Sequence, residues 1–240
     1  MSSRMRNLDR DGDIIKRCYN NARKNHDMDE QYRQTDNLKK NIKEKEELNN
    51  MDPNSKEYDK AQMEIDKQKG DLIEMEHNNK RDYSADEKRD KIEELQHNND
   101  ELSKKMDNAV KKGDTRSFDE HRATYQKNIE KQERYGNELK QEGESYKDTV
   151  HQQKVAQKDL DIDMRDKFGE KIQNGKANEK DKEAFQKYSE QTKKSEIDLV
   201  KYQNQKSIES MRERGCSEEQ IKIKEEENKR SEQWVERINR

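Results

Sequence analysis

The sequence predicts an all-α protein of elongated antiparallel helical hairpins, a coiled-coil bundle with one long shared central helix. Three observations carry this expectation. Charged residues make up 45% of the 240-residue chain and hydrophobic residues 25%, too little apolar surface for a broad core but enough for narrow helical seams. The 53 basic and 56 acidic residues nearly cancel to a net charge of −3, and they alternate in sign, so they pair along helices instead of repelling into a coil. Proline occurs once. Lys, Glu, Gln and Arg favour helix, whereas β-branched and aromatic residues are too sparse for a sheet.

Taken in order, residues 1–27 read as an N-terminal acidic loop leading into a short helix from Asp13. Six helices follow, near 28–51, 53–80, 84–111, 115–173, 178–213 and 217–240. Their ends are set by punctuation. Asp52 is an N-cap with Pro53 at the first helical position, where its missing N–H costs nothing. Gly113 and Gly175 are left-handed C-terminal caps, followed by Asp114 and Asn178 as the next N-caps. Ser84 with Glu87, and Ser217 with Gln220, have capping-box spacing, and Gly215 precedes the second. An aromatic follows three of these turns, Tyr58, Phe118 and Phe185, each with a second contact, Ala61, Tyr125 and Tyr188. That pattern suits the closed end of a helical hairpin.

Steps of three and four residues define the seams. In the second helix they join Tyr58, Ala61, Ile65, Gln68, Leu72 and Met75, and in the third Ile92, Leu95, Asn99, Leu102, Met106 and Ala109. Gln68 and Asn99 are polar members of apolar seams, which marks either a device that fixes register at some cost in stability or a shallow, partly wet seam. The fourth helix carries a seven-residue ladder, Phe118, Tyr125, Gln132, Leu139, Tyr146, Gln153 and Leu160. Short turns make neighbours antiparallel, so the helices before and after it should end together at its middle, near Gly136 and Gly143. These glycines imply either a hinge or close crossing, or solvent-exposed positions that tolerate glycine. The chain thus divides into residues 1–27, a first bundle half at 28–141 and a second at 142–240, joined through the long helix. This is similar in principle to spectrin-type arrays, although no motif of that family is present.

Motifs for chemistry are missing from this pattern. There is no phosphate-binding loop, dinucleotide glycine motif, HExxH or nucleophile pair, and the five histidines, His26, His77, His97, His121 and His151, lack helical metal-pair spacing with each other or with Cys18 and Cys216. The sequence offers no catalytic, cofactor-binding or metal residue, and an enzyme is not expected. Balanced charge argues against a nucleic-acid partner. No run of 18 apolar residues spans a membrane and the N-terminus lacks an apolar signal region, so a cytoplasmic protein with two free thiols is expected.

One stretch points elsewhere. In NLDRDGDIIKRC, Asn7, Asp9 and Asp11 fall at positions 1, 3 and 5 of a loop with Gly12 at position 6 and Ile14 at 8, which resembles an EF-hand calcium loop. It departs at Asn7, where that loop has Asp, and at Cys18, where it has the closing Glu. The resemblance implies an ion-regulated helical adaptor. The architecture itself implies a non-catalytic scaffold or spacer that binds a protein partner or itself as a homo-oligomer, with Trp234, Val235 and Ile238 as an anchor in the last helix. A translocated helical effector or the stalk of a toxin assembly is a further alternative.

Overall fold

A computed structural model describes residues 3–50 and 58–238. Over these residues the helix-forming composition gives eight α-helices and no strand: α1 (Ser3–Lys24), α2 (Met28–Asn50), α3 (Tyr58–Asp82), α4 (Ala85–Lys112), α5 (Thr115–Gln141), α6 (Val150–Gln173), α7 (Glu179–Glu213) and α8 (Glu218–Ile238). The expected caps at Asp52 and Pro53 lie outside the described residues. Elsewhere the punctuation works as the residue types demand. Gly113, Gly175 and Gly215 have φ of 68°, 65° and 73°, and Asp114 Oδ1 accepts the Ser117 amide at 3.1 Å. Asn178 and Asp181 form a reciprocal capping box, as do Ser84 with Glu87 and Ser217 with Gln220.

The chain separates into two compact units, Met1–Glu87 and Lys88–Arg240. This differs from the expected boundary at residue 141, because α4 shares its apolar cluster with α5, α6 and α7.

In the first unit, α1, α2 and α3 enclose Tyr19, Leu38, Ile42, Ile65 and Met75. The expectation of a loop and short helix over residues 1–27 is corrected here, since α1 begins at Ser3. Its buried positions Met5, Leu8, Gly12, Tyr19 and Ala22, with Ile15 packed against the core, keep the three-and-four spacing of a seam. The helix ends at His26, a non-glycine residue at φ 52°, where the Asp27 amide reaches back to the Ala22 carbonyl at 2.9 Å.

Polar groups close this core. The Tyr19 hydroxyl lies 3.0 Å from Asn79 Oδ1 and from the Met75 carbonyl, Asn79 Nδ2 donates to Thr35 Oγ1 at 3.0 Å, and Gln31 donates to the Tyr83 hydroxyl. Burial pushes the Tyr19 hydroxyl pKa up to about 12, so it stays a neutral donor.

In the second unit, Met106, Phe118, Tyr125, Ile129, Val150, Leu160, Met164, Phe168 and Tyr188 are among the residues of one cluster drawn from α4 to α7. Phe118 and Tyr188, two of the aromatics placed after turns, meet edge to face with centroids 5.5 Å apart. Across the middle runs a layer of amides. Gln153 Nε2 donates to Gln132 Oε1 at 2.8 Å and to Thr149 Oγ1 at 2.9 Å. Asn99 donates to Gln153, and Asn128 Nδ2 donates to Asn99 Oδ1 at 2.9 Å. The polar seam position at Asn99 therefore joins three helices.

The helix expected over 115–173 is two helices, which corrects the long shared central helix. Gly143 adopts φ 77°, and the Glu144 amide bonds back to the Leu139 carbonyl at 2.8 Å, a left-handed helix stop. Tyr146 then folds onto Gly136, where a Cβ would lie 2.3 Å from its ring. The two glycines foreseen as a hinge or close crossing thus take separate parts, one the turn and the other the contact. Helix ends still meet here. Lys88 of α4 pairs with Glu138 and Glu142, Arg89 Nε donates to the Ser145 carbonyl at 2.9 Å, and Lys140 of α5 meets Glu209 of α7 at 3.4 Å.

These glycines predict opposite responses to alanine. Gly70 in α3 has open space around it, so Gly70→Ala should raise stability by about 0.5–1 kcal/mol. Gly136→Ala meets a ring, and overpacking of about 1–3 kcal/mol should exceed the helix gain. Urea unfolding of both variants measures the signs.

Candidate functional site

The stretch from Asn7 to Cys18 lies wholly within α1. Successive odd positions on a helix alternate between opposite sides, so Asn7, Asp9 and Asp11 do not converge as they would in a loop. Each has a helical role instead. Asn7 Oδ1 accepts from Arg10 at 3.3 Å, Asp11 and Asp13 are exposed, and Asp9 Oδ1 lies 2.6 Å from Nζ of the fully buried Lys45 of α2, a contact off the hydrogen-bond axis. Gly12 is buried because Gln68 of α3 rests on it, and a Cβ there would lie 2.1 Å from Gln68 Nε2. Gln68, the other polar seam position, is 4% exposed. The glycine that resembled a calcium-loop turn is a helix-crossing residue. No three His, Cys, Asp or Glu side chains gather into a metal-holding group among the described residues.

Sequence reasoning missed a buried charge pair between α5 and α6. Asp161 of α6 is fully buried and accepts two bonds from Arg122 of α5, Nε to Oδ1 at 2.7 Å and a terminal nitrogen to Oδ2 at 2.9 Å. Ser195 of α7 donates to Asp161 Oδ2 at 2.6 Å and receives Arg122 at 3.1 Å. This triad holds three helices through charge-assisted hydrogen bonds. The cleft beside it, lined by Gln126, Lys154 and Asp198 among others, measures about 50 Å³, room for a few waters. Its only advance signal was Asp161 next to the ladder residue Leu160, which placed a charge beside the seam.

His26 forms a second constellation. Its ring lies 4.8 Å from that of Tyr83, and Nε2 is 2.8 Å from Glu87 Oε1. Glu87 also accepts from the Ser84 amide at 2.8 Å and hydroxyl at 2.7 Å. Hydrogen bonds from His26 first, then from Ser84, pull the Glu87 carboxyl down to about 2.

The surface offers two apolar features. One is a groove of about 590 Å³ between α6 and α7, with Ile172, Phe185 and Gly169 beside Arg165 and Lys193. The other is the outer face of α8. Ile221, Asn228 and Val235 recur every seven residues and are buried, with Asn228 Nδ2 donating to the Asn204 carbonyl of α7 at 3.2 Å. On the opposite side Ile223 is 57% and Trp234 62% exposed, three helical turns apart and so aligned. Of the expected anchor, Val235 points inward and Trp234 outward, while the Ile238 side chain lies outside the described residues. Cys18 is exposed and Cys216 half-buried, both as free thiols. No helix among the described residues is long and apolar enough to cross a membrane.

Comparison of the chain with family models, with curated proteins and with solved structures gives no match.

Two predictions follow from these constellations. Asp161→Ala leaves the Arg122 charge buried without its partner and should cost about 3–5 kcal/mol, whereas replacing both residues by apolar ones of similar volume should cost far less. Chemical denaturation of the single and double variants compares them. Glu87, with a lowered folded pKa, stabilises the fold above its unfolded value near 4.5, and that contribution is lost as pH falls toward about 2. Glu87→Gln should flatten the stability profile across this acid window, read by thermal melting.

Proposed function

We propose that the protein is a non-catalytic helical scaffold or spacer that works by binding helical segments of other proteins, its own copies included. The observation that carries this reading is the division of α8 into two faces. Ile221, Asn228 and Val235 are used against α7, while Ile223 and Trp234 stand outward on the opposite side. Large apolar side chains aligned on a helix suit the pairing of one amphipathic helix with another. The use of charge agrees with a structural role. Ion pairs such as Lys39–Glu76, Lys69–Glu46, Glu133–Lys154 and Lys187–Asp119 join neighbouring helices, and the buried Asp161 is matched by Arg122 and Ser195 rather than facing a substrate-sized cavity.

Trp234 is the only tryptophan in the chain, so its fluorescence reports this face directly. Association through α8 should shift its emission to the blue as protein concentration or a helical partner is raised, in step with the mass measured by light scattering. Ile223→Ser with Trp234→Ala should abolish the association while circular dichroism keeps its helical amplitude. Emission and mass that stay constant up to about 1 mM, the limit of weak specific binding, together with a photo-crosslinker at position 234 that forms no protein adduct in cells making the protein, would remove the reading.

A further inference from the structure

The α5–α6 hairpin has an unusual symmetry. The ladder residues Phe118, Tyr125, Gln132, Leu139, Tyr146, Gln153 and Leu160 keep one seven-residue spacing straight through the turn. Leu139 with Tyr146, Gln132 with Gln153, and Tyr125 with Leu160 are each centred on the Glu142–Gly143 peptide bond. Observed cross-helix contacts share this centre. The reciprocal amide pair Gln132–Gln153, the Arg122–Asp161 ion pair and the Glu133–Lys154 pair at 3.1 Å all have midpoints between Gln141 and Glu144.

This symmetry has a direct physical meaning. If residues 142–149 became helical, the ladder would form one continuous stripe on a helix of about 90 Å. Two such helices lying antiparallel, with their twofold axis at the Glu142–Gly143 bond, would place Gln132 of one against Gln153 of the other and Arg122 against Asp161. Each of these contacts is regained between chains. From these observations we infer that a second copy of this chain is a partner, and that the two copies exchange α6, with α7 and α8 carried along, through an opened α5–α6 turn to form an antiparallel dimer.

The turn itself permits this change. Residues 142–149 contain no proline, and the positive-φ residue within them is Gly143, which a helix accommodates at an entropic cost relative to alanine. Helix exists on both sides, so conversion is propagation without a nucleation cost. Tyr146 can cover Gly136 of the partner as it covers its own. What holds the turn closed is polar. Lys88 holds Glu142, Arg89 holds the Ser145 carbonyl, and the Tyr202 hydroxyl lies 3.3 Å from Asp148. These contacts set the balance against the entropy lost when two chains associate. Exchange of an identical element is a general route from monomer to dimer when a connecting turn can straighten. The inference rests on the scaffold reading for its purpose and on the hairpin alone for its geometry.

The test replaces Glu133 and Lys154 by cysteine in full-length protein that also carries Cys18→Ser and Cys216→Ser. In the closed hairpin the new disulfide forms within one chain, and in the exchanged dimer it links two. Gly143→Ala favours helix over the left-handed turn in both copies and should raise the dimerisation constant roughly 30-fold, with a covalent dimer on non-reducing denaturing gels. Inserting Gly-Pro-Gly after Gly143 blocks the continuous helix and should return the protein to monomer. Wild-type protein heated and slowly cooled at high concentration gives the same comparison without a turn substitution. A dimer whose disulfide remains within each chain overturns the exchange and leaves the scaffold reading standing. Monomer throughout, for Gly143→Ala and for the annealed wild type, also overturns it.

Discussion

With one residue in four apolar, the cores of this protein depend on buried polar groups satisfying one another. Leaving an interior amide or carboxylate without a partner costs about 1–3 kcal/mol, so a buried group is held best by a complement at the correct height on another helix. Gln132, Gln153, Asn99 and Asn128 do this as a single layer. Tyr19, Asn79 and Thr35 do it in the first unit. Apolar contacts tolerate a shift of one turn, whereas these layers do not. Where such layers form, register comes from the polar members of the seam, and the apolar majority supplies the adhesion.

The same constraint explains how charge is distributed. Exposed pairs at helical spacing, such as Lys104–Glu101 and Arg116–Glu120, contribute little to stability because solvent screens them. Their value lies in keeping a highly charged surface free of like-charge repulsion. The buried pairs are different in kind. Arg122 with Asp161, and Lys88 with Glu138 and Glu142, each place a fully buried charged side chain against its partner, and a buried pair is weak evidence for added stability. Their effect is selective. A helix placed out of register would bring an unmatched charge inside.

How much of this was legible depended on how local the signal was. Gly113, Gly175, Gly215 and the serine capping boxes act within four residues, and each ended or began a helix where its chemistry demanded. Asn99 and Gln68 stood out because each interrupts an apolar seam. The amide partners of Asn99 were visible as ladder members, though their convergence was not. Gln68 could not be paired with Gly12, because a glycine says only that something approaches closely, never what. α1 was obscured for the same reason. Its Gly12, flanked by aspartates, has the look of a turn, and the seam of Met5, Leu8, Ile15 and Tyr19 becomes visible once Gly12 is read as a buried small residue. Arg122, Asp161 and Ser195 come from three helices and share no local pattern, so only the packing of α5, α6 and α7 brings them together.

The break between α5 and α6 escaped the sequence for a deeper reason. A ladder with a fixed seven-residue step describes a straight helix and a symmetric hairpin equally well, since folding about its midpoint pairs each member with another member. Helix propensity favours continuity through Glu144, Tyr146 and Lys147, and Gly143 is the one residue there that adopts the left-handed turn. What decides between the forms lies far away in sequence: Lys88, Arg89 and Tyr202 meet the turn from α4 and α7. Local preference and tertiary contacts pull residues 142–149 in opposite directions. A segment under that tension is where a helical bundle most readily trades an internal partner for an identical external one, because every contact across the seam is kept and only the turn is remade.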